Sequence, residues 1–122
     1  MPMVATHSSA LMNPRCGDHV RLEIRCVENV ILEIGFAAKG CAICAASASL
    51  LCELVKGCQC LQSLDFADRF EKSVVASVEE RWPDSILRLQ SFAHLRVNPA
   101  RRACAFLPWM ALRMALNRHA NA

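Results

Sequence analysis

Long apolar runs are missing from this chain. None reaches the roughly 18 residues that would suggest a membrane span, so no membrane role is expected. The stretch from Met1 to Leu11 lacks a basic start and a long apolar segment, so no secretory signal is read there. The Arg-rich amphipathic pattern of an organelle transit peptide is missing too. A cytoplasmic protein is therefore expected. Charge of one sign is also scarce, with a net of only +3. No strong basic cluster alternates with aromatics, so nucleic acid is not an expected partner.

What is present points to a packed core. The chain has 122 residues, 54% of them hydrophobic, which fits one domain over 1–122 and argues against disorder. Basic residues gather late in the chain, at Arg96, Arg101, Arg102, Arg113 and Arg118. They read either as a solvated helix face or as a docking surface for an acidic protein. Eight cysteines are many for this length. Four disulfides would need an export route, and the apolar content is too high for a disulfide-dependent miniprotein. In a reducing compartment, thiols at special positions suggest metal or sulfur chemistry.

The first half reads as strands. From His19 to Val27, apolar Val20, Leu22, Ile24 and Cys26 alternate with Arg21, Glu23 and Arg25. That period of two predicts a strand with one buried face. Val30 to Ala37 predicts a second strand, and Glu28-Asn29 is short enough for a hairpin turn. Val4 to Met12 is a weaker third candidate.

The second half reads as helices. Gly40 breaks the strand pattern, Ala42 to Lys56 favours a helix, and Gly57 suits its C-terminal cap. Phe66, Phe70, Val74 and Val78 are spaced by four, predicting a helix over Asp65 to Glu80. Pro83 separates it from a helix near Ser85 to Leu95. Asn98-Pro99 marks a turn before a last helix from Cys104 or Leu107 to Asn117, with Pro108 in its first turn or kinking it. Strands first and helices after give an α+β class: a small antiparallel three-stranded sheet packed against several helices.

Four residues stand at junctions of these elements. Cys16-Gly17-Asp18 lies between the first two strands, and Pro14 stiffens its approach. A thiolate and a carboxylate two apart can reach one cation. Cys41 opens a helix and Cys104 stands near the start of another. Helix N-termini favour a thiolate over a thiol. Three cysteines and one aspartate suit a tetrahedral site for zinc, or for iron with sulfide. The same cysteines also suit a reading as small buried hydrophobes.

The motifs around them add weight. Asn13-Pro14-Arg15-Cys16-Gly17-Asp18 resembles the N-P-x-C-G-D signature of the U-type iron–sulfur scaffolds, IscU and SufU. The stretch from Gly40 to Ser49 resembles that family's G-C-x-I-x-x-A-S-x-S helix start. Pro99 to Trp109 resembles the SufU-type P-A-R-x-x-C-A-x-L-x-W segment. The resemblance covers Asn13 to Leu116 and includes the order of the motifs. The long interval from Cys41 to Cys104 is similar to SufU types, as is Ala103 where IscU types usually have His.

The resemblance implies a role in iron–sulfur cluster assembly, as an accessory protein rather than a stand-alone enzyme. It implies Cys16, Asp18, Cys41 and Cys104 as ligands of Zn²⁺, or of a transient [2Fe–2S] cluster. In SufU types the first cysteine accepts persulfide sulfur, here Cys16; in IscU types it is usually the third, here Cys104. Implied partners are a PLP-dependent cysteine desulfurase and recipient apoproteins, with the chain itself a monomer. Family members usually begin with a further helix, of which this chain has only Met1 to Met12.

Rival readings remain. A structural zinc module without sulfur transfer is one. Another is a thioredoxin-like redox pair at Cys41 and Cys44; Cys44 also reads as a spare ligand or a packed small side chain. Cys58 and Cys60 read as unremarkable loop thiols, and Cys26 and Cys52 as structural. Among His7, His19, His94 and His119, only His19 neighbours the site in sequence. Lys39 and Arg101 read as offsets to its anionic charge or as surface residues.

Overall fold

The period-two segment forms the centre of the sheet. In the computed structural model, which describes residues 4–14 and 17–120 (the last three by backbone alone), it is strand β2, Asp18–Val27. Val20, Leu22 and Ile24 face the core while His19, Arg21 and Arg25 face outward. A two-residue turn leads into β3, Val30–Lys39. Glu28 (φ 52°) and Asn29 (φ 67°) both take positive φ, as the tightest hairpins require. The weaker candidate becomes β1, His7–Asn13, antiparallel to β2 on its other side. The sheet order is β1-β2-β3, a three-stranded antiparallel meander, and the α+β expectation holds.

Helices cover the inner face. Helix α1, Ala42–Val55, ends where expected, with Gly57 at φ +85° just beyond. Helix α2 runs Cys60–Val75 instead of Asp65 to Glu80. Phe66, Phe70 and Val74 are buried as their spacing predicts, but Val78 lies past the end and is 65% exposed. The expected helix near Ser85 to Leu95 is a 3-10 segment, Asp84–Val97, broken at Ile86 (φ −124°, ψ 25°). Helix α3, Arg102–Ala120, starts earlier than expected and carries Pro108 inside.

Phe70 is the hub of the core. Its ring centroid lies 5.5 Å from Trp109, 5.7 Å from Phe92, 6.0 Å from Phe106 and 6.3 Å from Trp82. Tilted and edge-on pairs at these distances add to plain area burial. Three of the late arginines are engaged inside the fold rather than solvated. Arg96 is buried, donates to the Ser73 and Glu80 carbonyls at 2.7 Å, and stacks over Trp82. Arg102 donates to the Leu95 and Arg96 carbonyls, and Arg113 pairs with Glu71 and Asp68.

Two half-buried thiols give the fold a pH limit. Burial, then the Glu53 carboxylate, pushes Cys52 up from 9.0 to about 11. Burial, then the Cys60 thiol, pushes Cys26 up to about 12. Above pH 9 the unfolded chain sheds these protons first, while the native chain keeps them. The native state then binds more protons, so stability falls as pH rises from about 9 towards 12. Urea midpoints should fall across that window, and Cys52→Ala should make the fall shallower. A variant that tracks the parent would refute the account.

Candidate metal centre

The site is assembled by backbone geometry before any ligand chemistry. The β1–β2 connection closes with the Gly17 amide donating to the Asn13 carbonyl at 2.8 Å. β2 then begins at Asp18, whose side chain points inward and is 1% exposed. The far end of β3 lies alongside, with Lys39 opposite His19. Gly40 follows at φ +126°, a conformation that side chains rarely adopt. A Cβ there would lie 2.1 Å from Asp18 Oδ1 and 2.9 Å from Asp18 Cα. Only glycine admits the carboxylate at this position. The sequence marked Gly40 as a strand breaker; its larger role is this close approach.

Asp18 in turn fixes the start of α1. Its Oδ1 accepts the Cys41 amide at 2.8 Å, and the Cys41 thiol donates to Oδ2 at 3.5 Å. An acidic acceptor at a helix N-terminus suits the orphan amides there. The third member comes from α3. Buried Ser47 of α1 donates to the Ala105 carbonyl at 2.6 Å, which ties the two helix starts together. Cys104, beside Ala105, is 3% exposed. Ser47 belongs to the Gly40-to-Ser49 motif segment, and its tertiary bond has no sequence signal beyond that.

Asp18, Cys41 and Cys104 therefore meet, each with a donor atom within 4.8 Å of the others. Thiolates around tetrahedral zinc stand about 3.8 Å apart at 2.3 Å bonds, so the observed outer limit needs little closure. One hard oxygen and two sulfurs suit zinc, or iron with sulfide. Cys16, the fourth expected ligand, lies outside the described residues; in sequence it stands two before Asp18.

Other candidates are placed elsewhere. His19 faces outward, opposite in phase to Asp18. Lys39 and Arg101 are exposed. Cys44 is buried in the core, outside the 4.8 Å group. The thioredoxin-like alternative also lacks its frame, since the described strands form an antiparallel meander rather than parallel units. Cys60 is not in a loop but is the first residue of α2. No helix among the described residues is long and apolar enough to cross a membrane.

Comparison with known proteins gives a consistent picture. A family model described as the NifU-like N terminal domain matches residues 3–121. The iron–sulfur cluster assembly scaffold protein IscU of Streptococcus pyogenes serotype M1 is 35% identical over 112 residues, 92% of this chain and 70% of that protein. The zinc-dependent sulfurtransferase SufU of Bacillus subtilis is 30% identical over 102 residues, 82% of this chain and 67% of that protein. Among solved structures, a SUF-system scaffold from Fervidobacterium islandicum AW-1 superposes with a TM-score of 0.85 at 26% identity. That match covers 94% of this chain and 83% of the other.

Proposed function

This chain belongs to the NifU-like N-terminal domain family, and from that premise we propose that it works in iron–sulfur cluster assembly, receiving persulfide sulfur at a metal-held cysteine. The observation that carries the reading is the meeting of buried Asp18 and Cys104 with half-buried Cys41 within 4.8 Å. Cys16 completes the set as the fourth donor. When bound, Zn²⁺ holds thiols deprotonated at neutral pH and shields them from oxidation.

The residues divide the work. Asp18 anchors Cys41 through its amide and orients the thiol. Cys104 is buried, while Cys16, two residues before Asp18 in sequence, is the acceptor. Its sulfur attacks the terminal sulfur of a persulfide on a cysteine desulfurase. One S–S bond forms on Cys16 as the desulfurase's S–S bond breaks, and the desulfurase cysteine leaves as thiolate. No external oxidant or reductant is needed. Recipient apoproteins take the product onward. A second reading has support in the likeness to proteins named IscU: the same four residues hold a nascent [2Fe–2S] cluster as cargo, and Cys104 takes the sulfur.

The purified chain should contain about one zinc and should accelerate a cysteine desulfurase, with label on Cys16. Iron, sulfide-to-iron absorption and label on Cys104 would favour the scaffold reading. Zinc with no acceleration and no label would leave a structural zinc module and sink both.

A further inference from the structure

Away from the metal centre, at the other end of the sheet, two thiols meet. The Sγ atoms of Cys26 and Cys60 lie 3.5 Å apart. They are remote in sequence, one on β2 and one opening α2. The meeting is held by backbone. The Gly57 amide donates to the Ile31 carbonyl at 2.7 Å, the Ile31 amide to Cys58 at 2.8 Å, and the Cys60 amide to Asn29 at 2.8 Å. This stitches 57–60 along the hairpin end. A register shift between Arg25 and Cys26 sets Cys26 opposite Ile31, and such bulges re-aim side chains.

We propose that Cys26 and Cys60 are a second functional thiol pair, oxidised reversibly to a disulfide by small-molecule disulfides. The two thiols have unequal parts. Cys60 opens α2 and lines the groove beside it, so it is the thiol that a small disulfide reaches first. Cys26 is held protonated by burial and by Cys60. Cys60 thus attacks first, forming a mixed disulfide and releasing one small thiolate. Cys26 then attacks Cys60 Sγ, its proton leaving with the second small thiol. The protein loses two electrons and two protons, and one small disulfide becomes two thiols. Access is provided by a groove of about 500 Å³ lined by His7, Gln59, Cys60 and Leu61 among others. Closing 3.5 Å to the roughly 2.05 Å of a disulfide needs side-chain rotation and a small shift. Cys58 is turned aside, its thiol donating to the Leu54 carbonyl at 3.3 Å.

The sequence makes the test clean. Trypsin places Cys26 in 26–39, Cys58 and Cys60 in 57–69, Cys16 in 16–21, Cys104 in 103–113, and the remaining cysteines in 40–56. The reduced full chain is treated with oxidised glutathione, blocked, digested and mapped by mass. The expected product joins 26–39 to 57–69, with fragmentation assigning the bond to Cys60 and dithiothreitol reversing it. Cys58→Ser should retain the link and Cys60→Ser should lose it. The link should raise the melting temperature by roughly 5 °C or more, by restricting the unfolded chain. Glutathione left on Cys60 without the link, or a Cys58–Cys60 bond instead, would overturn the proposal.

Discussion

Replacing Gly40 with alanine is expected to unfold the chain about 10 °C earlier and to weaken zinc binding by at least tenfold. Two effects add. The residue has φ +126°, where a side chain is strained by about 1–3 kcal/mol. The new Cβ would also lie 2.1 Å from Asp18 Oδ1 and 2.9 Å from Asp18 Cα. The second contact is with backbone, so no rotamer change of Asp18 relieves it. Asp18 must move, and its 2.8 Å bond to the Cys41 amide is lost with it. A charge-assisted bond of that kind contributes about 1.5–3 kcal/mol. Gly57→Ala is the matched control. Gly57 also has positive φ, +85°, but a Cβ there meets nothing within 4 Å. It should show the backbone strain alone, with a smaller loss of melting temperature and unchanged zinc affinity. Calorimetry and zinc titration of both variants decide the matter. Equal behaviour of the two would mean that the close approach of Gly40 to Asp18 does not hold the site together.

Gly40 also shows where reading the sequence reaches its limit. Its position before Cys41 is visible in the sequence, but the carboxylate it makes room for comes from another strand. Local signals carried the parts they physically control. Alternation in β2 set its faces, Glu28-Asn29 set the hairpin, and the four-residue spacing of Phe66, Phe70 and Val74 set the buried stripe of α2. The ends of α2 were misread because tertiary bonds fix them. Residues 57–60 are held by Ile31 and Asn29 of the hairpin, which starts the helix at Cys60. Cys60 then reads as a loop thiol by sequence although its sulfur faces Cys26. Motif resemblance singled out four residues as ligands, and three of them, Asp18, Cys41 and Cys104, come within 4.8 Å of one another. Their spacing alone left burial as small hydrophobes equally open.

Removing metal from the purified chain should lower its melting temperature by roughly 12–25 °C, the second large effect expected. The donors come from the start of β2, the β3–α1 junction and the start of α3. The unfolded chain does not hold these segments together, so binding energy becomes folding energy. At free metal a thousandfold above the dissociation constant, the linkage is worth about 4.1 kcal/mol. Each kcal/mol shifts the midpoint of a domain this size by roughly 3–6 °C. The burial of the donors raises the stakes. Asp18 is 1% exposed and Cys104 3% exposed, and a carboxylate beside thiolates in such a place is stabilised by a cation and destabilised without one. The Cys41→Ser/Cys104→Ser double variant serves as the reference, because a hydroxyl is a much poorer zinc ligand than a thiolate. Its melting temperature should match the chelated parent and should not respond to chelator. A parent that loses its zinc with no change in melting temperature would show that these side chains bind no metal in a way that matters to the fold.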